Sequence, residues 1–297
     1  MIALPAGFKE CSFSAGEVEI HYVEGPANGP PLVLLHGTAR DWNSFSVLLS
    51  QLSPRFHIFI PDLRGHGASG RVPRCYRISQ FADDISEFLQ KVVPGNPALF
   101  GHSLGGIVAL VVAAQRRVAG VIVGDSMLSP ENLAKSIYHP MFFQLRDLLV
   151  KGGSQQHIAN GIGKIQLQLP GIDEPVAIAE LPGNTPVTLL EWARSAIRTD
   201  PDVLSMAVEG STYEQWQPKS ILPAIRCPVL LLQGNPELDG LLTDFDVETA
   251  KRLLPHVEHI KFPLLGHALF MHRPGPVLDA ITGFLERHLS KSSAATD

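Results

Sequence analysis

The chain has 297 residues, of which 45% are hydrophobic, and it carries a formal net charge of -5. At this length a folded chain buries roughly 75% of the surface that it exposes when unfolded, enough for one core with a covering subdomain. No run of Lys or Arg is long enough to follow a phosphate backbone, and this excludes nucleic acid as an expected partner.

The N-terminal segment KECSFSAGEVEIHYVEG alternates apolar and polar residues on both sides of Ala15 and Gly16. This pattern predicts a β-hairpin with one solvated face. No charged stretch followed by an apolar stretch begins the chain, and the longest purely apolar run, residues 107–114, is too short to cross a bilayer. We therefore expect a soluble, cytoplasmic protein that does not span a membrane.

Short, almost continuous apolar runs follow at residues 31–37, 56–62, 97–103 and 118–125, and each ends in Gly, Asp, His or Ser. Such runs are typical of parallel strands that are covered on both faces. Segments of helical length separate them, near residues 42–52, 78–92 and 104–115. The alternation predicts an α/β fold with a mostly parallel, doubly wound sheet, whose ligands bind at the carboxyl ends of the strands.

The alternation stops after Asp125 for about a hundred residues, then resumes at residues 227–234 and 257–267 and closes with a helix near 276–289. Two helical stretches, near 140–150 and 187–208, occupy the gap. An insertion between two strands of one sheet predicts a helical cap over the strand ends, between strands 6 and 7. We expect a core of residues 1–128 and 222–290, a cap of residues 129–221, and a disordered tail of residues 291–297.

The strongest motif is FGHSLGG at residues 100–106. Gly101, Ser103 and Gly105 form Gly-x-Ser-x-Gly directly after a predicted strand and directly before a predicted helix, which is the context that a nucleophile elbow requires. The glycines permit a tight turn that exposes the serine hydroxyl. The amide of Leu104, at the start of the helix, is then placed to stabilise an oxyanion.

With this motif, the runs LLHGTARDW at residues 34–42 and PDLRGHGAS at residues 61–69 resemble the α/β-hydrolase family over nearly the whole chain. The resemblance implies an α/β-hydrolase fold. It also implies that the Thr38 amide is the second oxyanion donor, while His36 and Gly37 shape the turn. Haloalkane dehalogenases and epoxide hydrolases of this family use an aspartate where this chain has Ser103, which disfavours both activities.

His267 lies in PLLGHALF, after the last predicted strand and before the last helix, where the family carries its catalytic histidine. Of the other histidines, His21 and His57 are expected in strands and His288 in the terminal helix, while His256 and His259 flank a strand start and His102 neighbours the serine. Within this region His272 is the nearby competitor. The resemblance implies that His267 is the general base.

Two carboxylates compete to orient that histidine. Asp125 ends the predicted strand before the insertion, where some family members carry the acid, and Glu237 stands where the family more often has an aspartate. Asp125 is the preferred candidate and Glu237 the alternative. In the same region Asp239, next to Gly240, is expected in an exposed turn, whereas Asp244 and Asp246 follow Thr243 as a helix start.

The three cysteines are odd in number and widely spaced, which argues against a disulfide framework or a zinc cluster. We expect no metal and no cofactor, and a small molecule as the partner. The favoured function is a serine hydrolase that cleaves a carboxylic ester or lactone with an apolar body through an acyl-enzyme. Two alternatives stay open: a carbon–carbon bond hydrolase, and a ligand receptor with little turnover.

Overall fold

The computed structural model describes residues 4–129 and 136–289. In these ranges the chain forms ten strands: β1 Lys9–Ala15, β2 Val18–Glu24, β3 Pro31–Leu35, β4 His57–Pro61, β5 Ala98–His102, β6 Gly120–Gly124, β7 Gln166–Leu167, β8 Val176–Ala177, β9 Val229–Gln233 and β10 Val257–Lys261. The α-helices of the same ranges are α1 Ser46–Leu52, α2 Ile78–Lys91, α3 Leu104–Gln115, α4 Tyr138–Lys151, α5 Gln155–Lys164, α6 Pro186–Ile197, α7 Pro201–Glu209, α8 Pro218–Ile221, α9 Asp244–Leu253, α10 Leu269–His272 and α11 Pro274–Leu289.

Eight strands form one sheet in the order β1-β2-β4-β3-β5-β6-β9-β10. The hairpin β1–β2 joins the sheet antiparallel through β4, and all other neighbours are parallel. Both the predicted hairpin and the doubly wound parallel sheet are confirmed. Because β3, β5, β6 and β9 are neighbours, the loops that follow them meet at one edge of the sheet.

The continuous apolar strands supply side chains to both faces of the sheet. In β3, Val33 and Leu35 pack into one hydrophobic cluster, whereas Leu32 and Leu34 pack into another on the opposite face. Successive side chains of a strand point to opposite faces. In a strand that is covered on both faces, every position is therefore buried and favours an apolar residue. Helices α2 and α3 cover the first face, and α1 and α11 cover the second.

Between β6 and β9 the chain inserts helices α4 to α8 and the short antiparallel ribbon β7–β8. Helix α4 packs on α7, and α5 packs on α6. The insertion departs from the sequence prediction, since it contains the additional helices α5 and α8 and the ribbon. The division into core and cap at residues 128 and 222 stays a proposal, and the predicted tail of residues 291–297 lies outside the described residues.

The single helix expected near residues 187–208 is wrong, because the structure has two, α6 and α7. Pro201 is the first residue of α7, and the Asp200 side chain accepts a hydrogen bond from the Asp202 amide as its N-cap. A proline lacks the N–H that would continue α6, but it is well suited to a first helical turn. The break therefore follows from Asp200 and Pro201.

Candidate active site

Ser103 occupies the sharp turn between β5 and α3. Its backbone has φ 54° and ψ -119°, a region that residues with a side chain rarely adopt. The glycines of the motif make the turn possible, since a Cβ added to Gly101 would lie 2.1 Å from Gly105 O, and one added to Gly105 would lie 2.1 Å from Leu35 O. The Ser126 hydroxyl donates to Ser103 O at 2.7 Å. The turn places Ser103 on the wall of a cavity.

Two backbone amides beside Ser103 have no acceptor among the described residues. Leu104 is the first residue of α3, and the N–H groups of a first helical turn lack intrahelical partners. Thr38 lines the cavity with Ser103. Within the described ranges, neither the Leu104 N–H nor the Thr38 N–H donates a hydrogen bond to the protein. Both groups are therefore available to an oxygen that acquires negative charge.

His36 shapes the loop that carries Thr38. Its Nδ1 lies 2.8 Å from Gly37 O, and its Nε2 lies 2.9 Å from the Leu63 amide, which must donate to it. Nδ1 therefore carries the proton and the ring is neutral; burial lowers the pKa of His36 accordingly. A Cβ on Gly37 would lie 3.0 Å from the Ser103 Cβ. This loop therefore packs directly against the serine.

His267 follows β10, in the loop before α10, and lines the same cavity as Ser103. Its Nδ1 lies 2.7 Å from Asp125 Oδ2, and its carbonyl accepts a hydrogen bond of 2.8 Å from His102 Nε2. The His102 ring lies against the imidazole, with 4.7 Å between centroids. In the described part of the chain no hydrogen bond joins the Ser103 hydroxyl to His267, and such contacts are often long until substrate binds.

Asp125 is fully buried directly after β6 and has a positive φ of 45°. Besides His267, it accepts hydrogen bonds from the amides of Gly234 at 2.9 Å, Leu241 at 2.7 Å and Leu242 at 3.2 Å. Burial alone would raise the pKa of Asp125, but the hydrogen bonds from His267 and the backbone amides outweigh it and hold the pKa below its ordinary value. Asp125 is thus an ionised carboxylate with a fixed orientation.

Glu237, the alternative acid, has an exposed side chain in the short 3-10 helix Pro236–Leu238. Among the described residues its side chain forms no hydrogen bond or ion pair with His267. The structure therefore brings Asp125, and not Glu237, to the imidazole. As predicted, Thr243 caps α9 in a capping box with Asp246.

The exposed turn expected for Asp239 is wrong. Asp239 is partly buried in a left-handed conformation with φ 80°, and its Oδ1 accepts the backbone N–H of His267 at 2.6 Å. The Tyr138 hydroxyl donates to Asp239 O at 3.0 Å, and the Tyr138 ring lies 4.9 Å from that of His267. Burial raises the pKa of Asp239 to about 6. Asp239 is therefore a second carboxyl group that binds His267, in this case through the backbone N–H of the histidine.

The sequence model of the Alpha/beta hydrolase family matches residues 32–280 of the chain. The chain belongs to this family. As an α/β hydrolase it has the expected order of elements, with the serine turn after β5, the acidic position after β6 and the histidine loop after β10. The family membership makes it a hydrolase.

Several known proteins are similar to this α/β hydrolase. A 2-(acetamidomethylene)succinate hydrolase of Mesorhizobium japonicum is 33% identical over 89% of this chain and 91% of its own length. A pimeloyl-[acyl-carrier protein] methyl ester esterase of Nitrosomonas europaea is 26% identical over 85% of this chain and 94% of its own. A magnesium-chelatase 30 kDa subunit of Rhodobacter capsulatus is 32% identical over 47% of this chain, and the match spans only 51% of that subunit.

Among solved structures, an E-2-(acetamidomethylene)succinate hydrolase has a TM-score of 0.74 and 21% identity, over 94% of this chain and 99% of that one. A thermophilic esterase from Thermogutta terrifontis has a TM-score of 0.71 and 24% identity, over the same shares of 94% and 99%. At these identities the likeness shows the shared fold.

The cavity above Ser103 has a volume of about 330 Å³. Its apolar wall comes mainly from the inserted segment: Tyr138, Met141, Phe142, Leu167, Ile178 and Leu181. Helix α4 contributes both to the cavity and to the core, because Met141 and Phe142 line the cavity while Leu145 is buried in the core. Phe143 is 46% exposed and does neither.

Sequence reasoning missed three further residues of the site. Arg40 and Trp192 line the cavity and contact each other, and Tyr138 packs on His267. A signal for Arg40 was present in the sequence, since it is a charged residue three positions after Gly37 in the proposed oxyanion loop. Trp192 and Tyr138 come from the insertion, whose docking on the core has no local sequence signal.

His272, the competitor of His267, also lines the cavity. Burial, and then the charge of Arg40, lower the pKa of His272. In the described ranges no carboxylate contacts its ring. The described residues contain no cluster of His, Cys, Asp and Glu that could hold a metal ion, and no helix in those ranges is both long and apolar enough to span a membrane.

Proposed function

We propose that this hydrolase cleaves a carboxylic ester or lactone through an acyl-enzyme, with Ser103 as nucleophile, His267 as general base and acid, and Asp125 as orienting carboxylate. One observation carries the proposal: His267 donates through Nδ1 to a buried, ionised Asp125 and faces the cavity that Ser103 lines. This is the relation between base and orienting acid that serine hydrolysis requires.

In the first half-reaction the Ser103 oxygen attacks the carbonyl carbon of the ester while His267 Nε2 takes the hydroxyl proton. The carbonyl oxygen becomes an oxyanion, which the amides of Thr38 and Leu104 bind. When the tetrahedral intermediate collapses, the bond to the leaving oxygen breaks and the imidazolium returns its proton to that oxygen. An acyl group is then bound to Ser103 and an alcohol leaves.

The second half-reaction uses water as the nucleophile. His267 accepts a proton from the water as its oxygen attacks the acyl carbon, and the same two amides bind the new oxyanion. The imidazolium then protonates the Ser103 oxygen and releases the carboxylic acid. Asp125 stays ionised throughout; it keeps the proton on His267 Nδ1, so that Nε2 faces the reaction as a base.

The inserted segment, proposed as a cap of residues 129–221, encloses the acyl or alcohol part of the substrate. Met141, Phe142, Leu167 and Ile178 give the cavity an apolar wall next to Ser103. A cavity of about 330 Å³ is at the lower end of the range for small-molecule sites. A small to medium ester or lactone with an apolar portion fits this space.

The names of the relatives support cleavage of a carbonyl derivative, since one is a methyl ester esterase and another a hydrolase of an acetamidomethylene succinate. The two alternative functions on this fold are a carbon–carbon bond hydrolase and a ligand receptor, and the test below distinguishes them from an esterase. A ligand receptor would leave short esters uncleaved, and a carbon–carbon bond hydrolase would cleave a vinylogous diketone faster than an ester.

The test is hydrolysis of a short 4-nitrophenyl ester by the purified protein, with Ser103→Ala and the exposed-serine control Ser50→Ala. Loss of the nucleophile is expected to lower kcat by up to about 10⁶-fold, and Ser50→Ala should match the wild type. Intact mass after treatment with a fluorophosphonate should show one adduct that Ser103→Ala lacks. If the wild type neither cleaves esters faster than Ser103→Ala nor forms the adduct, the proposal is wrong, and a vinylogous diketone and ligand binding become the next assays.

A further inference from the structure

Arg40 places a positive charge in the cavity, and within the described residues it forms no ion pair. Its guanidinium lies over the Trp192 ring, 4.3 Å from the centroid. Among the residues that the structure describes, no carboxylate lies within ion-pair distance of Arg40 and no hydrogen bond leaves its side chain. All five N–H donors of a guanidinium are therefore available to a ligand.

The nearby acidic groups, Asp41 and Glu191, lie beyond ion-pair distance of Arg40 and do not line the cavity. Asp41 accepts a hydrogen bond from the Asn43 amide and pairs with Arg198 at 3.7 Å, and the Glu191 side chain is exposed. Burial lowers the pKa of Arg40 to about 10, so the group still carries its charge at neutral pH. Asp41 and Glu191 attract this partly buried guanidinium from beyond ion-pair distance, and an anionic ligand in direct contact would stabilise its charge further.

The backbone holds Arg40 close to the nucleophile. The Arg40 N–H donates to Gly37 O at 3.3 Å, which closes a turn through Ala39, a buried non-glycine residue with φ 56°. Since Gly37 packs against Ser103, the same loop carries one proposed oxyanion donor and the Arg40 guanidinium. The Arg40 guanidinium lies over the Trp192 ring, and this cation–π contact uses none of its N–H groups as conventional hydrogen-bond donors.

The charges that line the cavity favour an anion as well. Its arginines are Arg40 and Arg273, and its acidic lining residue is Asp239, whose Oδ1 already accepts the His267 amide. An arginine fork matches the two oxygens of a carboxylate and binds them with two parallel hydrogen bonds. A neutral apolar substrate, as the sequence alone suggested, would leave this charge unpaired.

We propose that Arg40 binds a free carboxylate of the substrate, so that the enzyme acts on esters or lactones that carry a second, ionised carboxyl group. This inference rests on the proposed serine hydrolysis and specifies its substrate class. The acyl carbon meets Ser103, the apolar portion of the substrate contacts Met141 and Phe142, and the carboxylate pairs with Arg40.

The experiment compares two substrates of equal acyl-chain length, 4-nitrophenyl hemiglutarate and 4-nitrophenyl valerate, in the wild type and in Arg40→Met, Arg40→Lys and Arg71→Met. Arg40→Met keeps much of the side-chain length and removes the charge; Arg71 is an exposed arginine outside the cavity and serves as the control. The measured quantity is the ratio of kcat/KM for the hemiglutarate to that for the valerate, because a general loss of activity cancels in this ratio.

The wild type should prefer the hemiglutarate, and Arg40→Met should lower the ratio by about 10²-fold, mainly through KM, as expected when a buried charge pair loses one partner. Arg40→Lys should give an intermediate ratio because it keeps the charge but loses the fork. Arg71→Met should retain the wild-type ratio. An unchanged ratio in Arg40→Met, with hydrolysis still dependent on Ser103, would overturn the carboxylate site and leave serine hydrolysis intact.

A binding measurement keeps the two proposals separable if neither ester is cleaved. Ser103→Ala is titrated calorimetrically with monomethyl glutarate, and the Ser103→Ala/Arg40→Met double variant is titrated in parallel. Binding that depends on Arg40 supports the carboxylate site even where turnover fails. Absence of binding at millimolar concentration, or equal binding by both proteins, refutes it.

Discussion

Asp125 Oδ2 accepts a 2.7 Å hydrogen bond from His267 Nδ1, although 142 residues separate them in the chain. Asp125 ends one strand of the sheet, and His267 lies in the loop after another. Three backbone amides bind the same carboxylate, so that its position does not depend on the histidine. The pair therefore provides a preoriented base next to Ser103, and the contribution of Asp125 can be measured separately.

Asp125→Asn should lower kcat for a 4-nitrophenyl ester by roughly 10⁴-fold. An amide of the same shape cannot stabilise the imidazolium, and its NH₂ group favours the tautomer with the proton on the wrong nitrogen. Glu237→Gln is the matched control, because it also converts a carboxylate to an amide, and it should retain nearly full activity. A larger loss in Glu237→Gln would reverse the choice of acid.

Much of this arrangement was predictable, because continuous apolar runs identify the parallel strands and the family motif identifies the turn at Ser103. Asp125 and His267 follow such runs, so the sheet order alone brings them to one edge. The prediction that Asp239 lies in an exposed turn is wrong, although an Asp-Gly pair is typical of such turns. Its burial comes from contacts 28 and 101 residues away, with His267 and Tyr138. Contacts between residues so far apart in the chain produce no local sequence pattern, and the contact of Trp192 with Arg40 is another example.

Gly105→Ala should disrupt the serine turn. A Cβ there would lie 2.1 Å from Leu35 O and 2.8 Å from His36 O, and backbone atoms of a central strand cannot easily move away. We expect destabilisation by about 1–3 kcal/mol or more, from overpacking, together with a large loss of esterase activity. Gly275→Ala provides the control, since a Cβ at that position meets nothing within 4 Å. Urea unfolding and ester assays on both variants test this; equal behaviour would contradict it.

The buried pair Arg64–Asp84 should matter far more to stability than the exposed pair Arg74–Glu209. Arg64 donates through Nε and Nη2 to the two Asp84 oxygens, at 2.6 Å each, and both side chains are about 6% exposed. Asp84→Asn leaves the buried guanidinium with only its 3.8 Å ion pair to the exposed Glu17, and the loss of one partner of a buried pair typically costs about 3–5 kcal/mol. Glu209→Gln, at the surface, should change the free energy of unfolding only slightly. The urea unfolding midpoints of the two variants are compared with that of the wild type at pH 7, and a loss in Asp84→Asn no larger than that in Glu209→Gln would contradict the prediction.

Asp239 should make stability fall with rising pH between about 4 and 6. Burial raises its pKa in the folded protein from the ordinary value of 3.8 to about 6. Between these two values the folded state binds more protons than the unfolded state, so the free energy of unfolding decreases as the pH rises through the window. Below the window both states are protonated at this group, and above it both are ionised, so its contribution is constant on either side.

Asp239→Asn removes this titration while its amide oxygen can still accept the His267 backbone N–H. The melting temperature of the wild type minus that of Asp239→Asn should therefore decline from pH 4 to pH 6.5 and stay level above pH 7. Both proteins are measured by scanning calorimetry across this range at constant ionic strength. The contributions of titrating groups that Asp239 does not affect then cancel in the difference between the two melting temperatures. A difference that rises with pH would mean that the folded protein stabilises the Asp239 carboxylate, contrary to the effect of its burial.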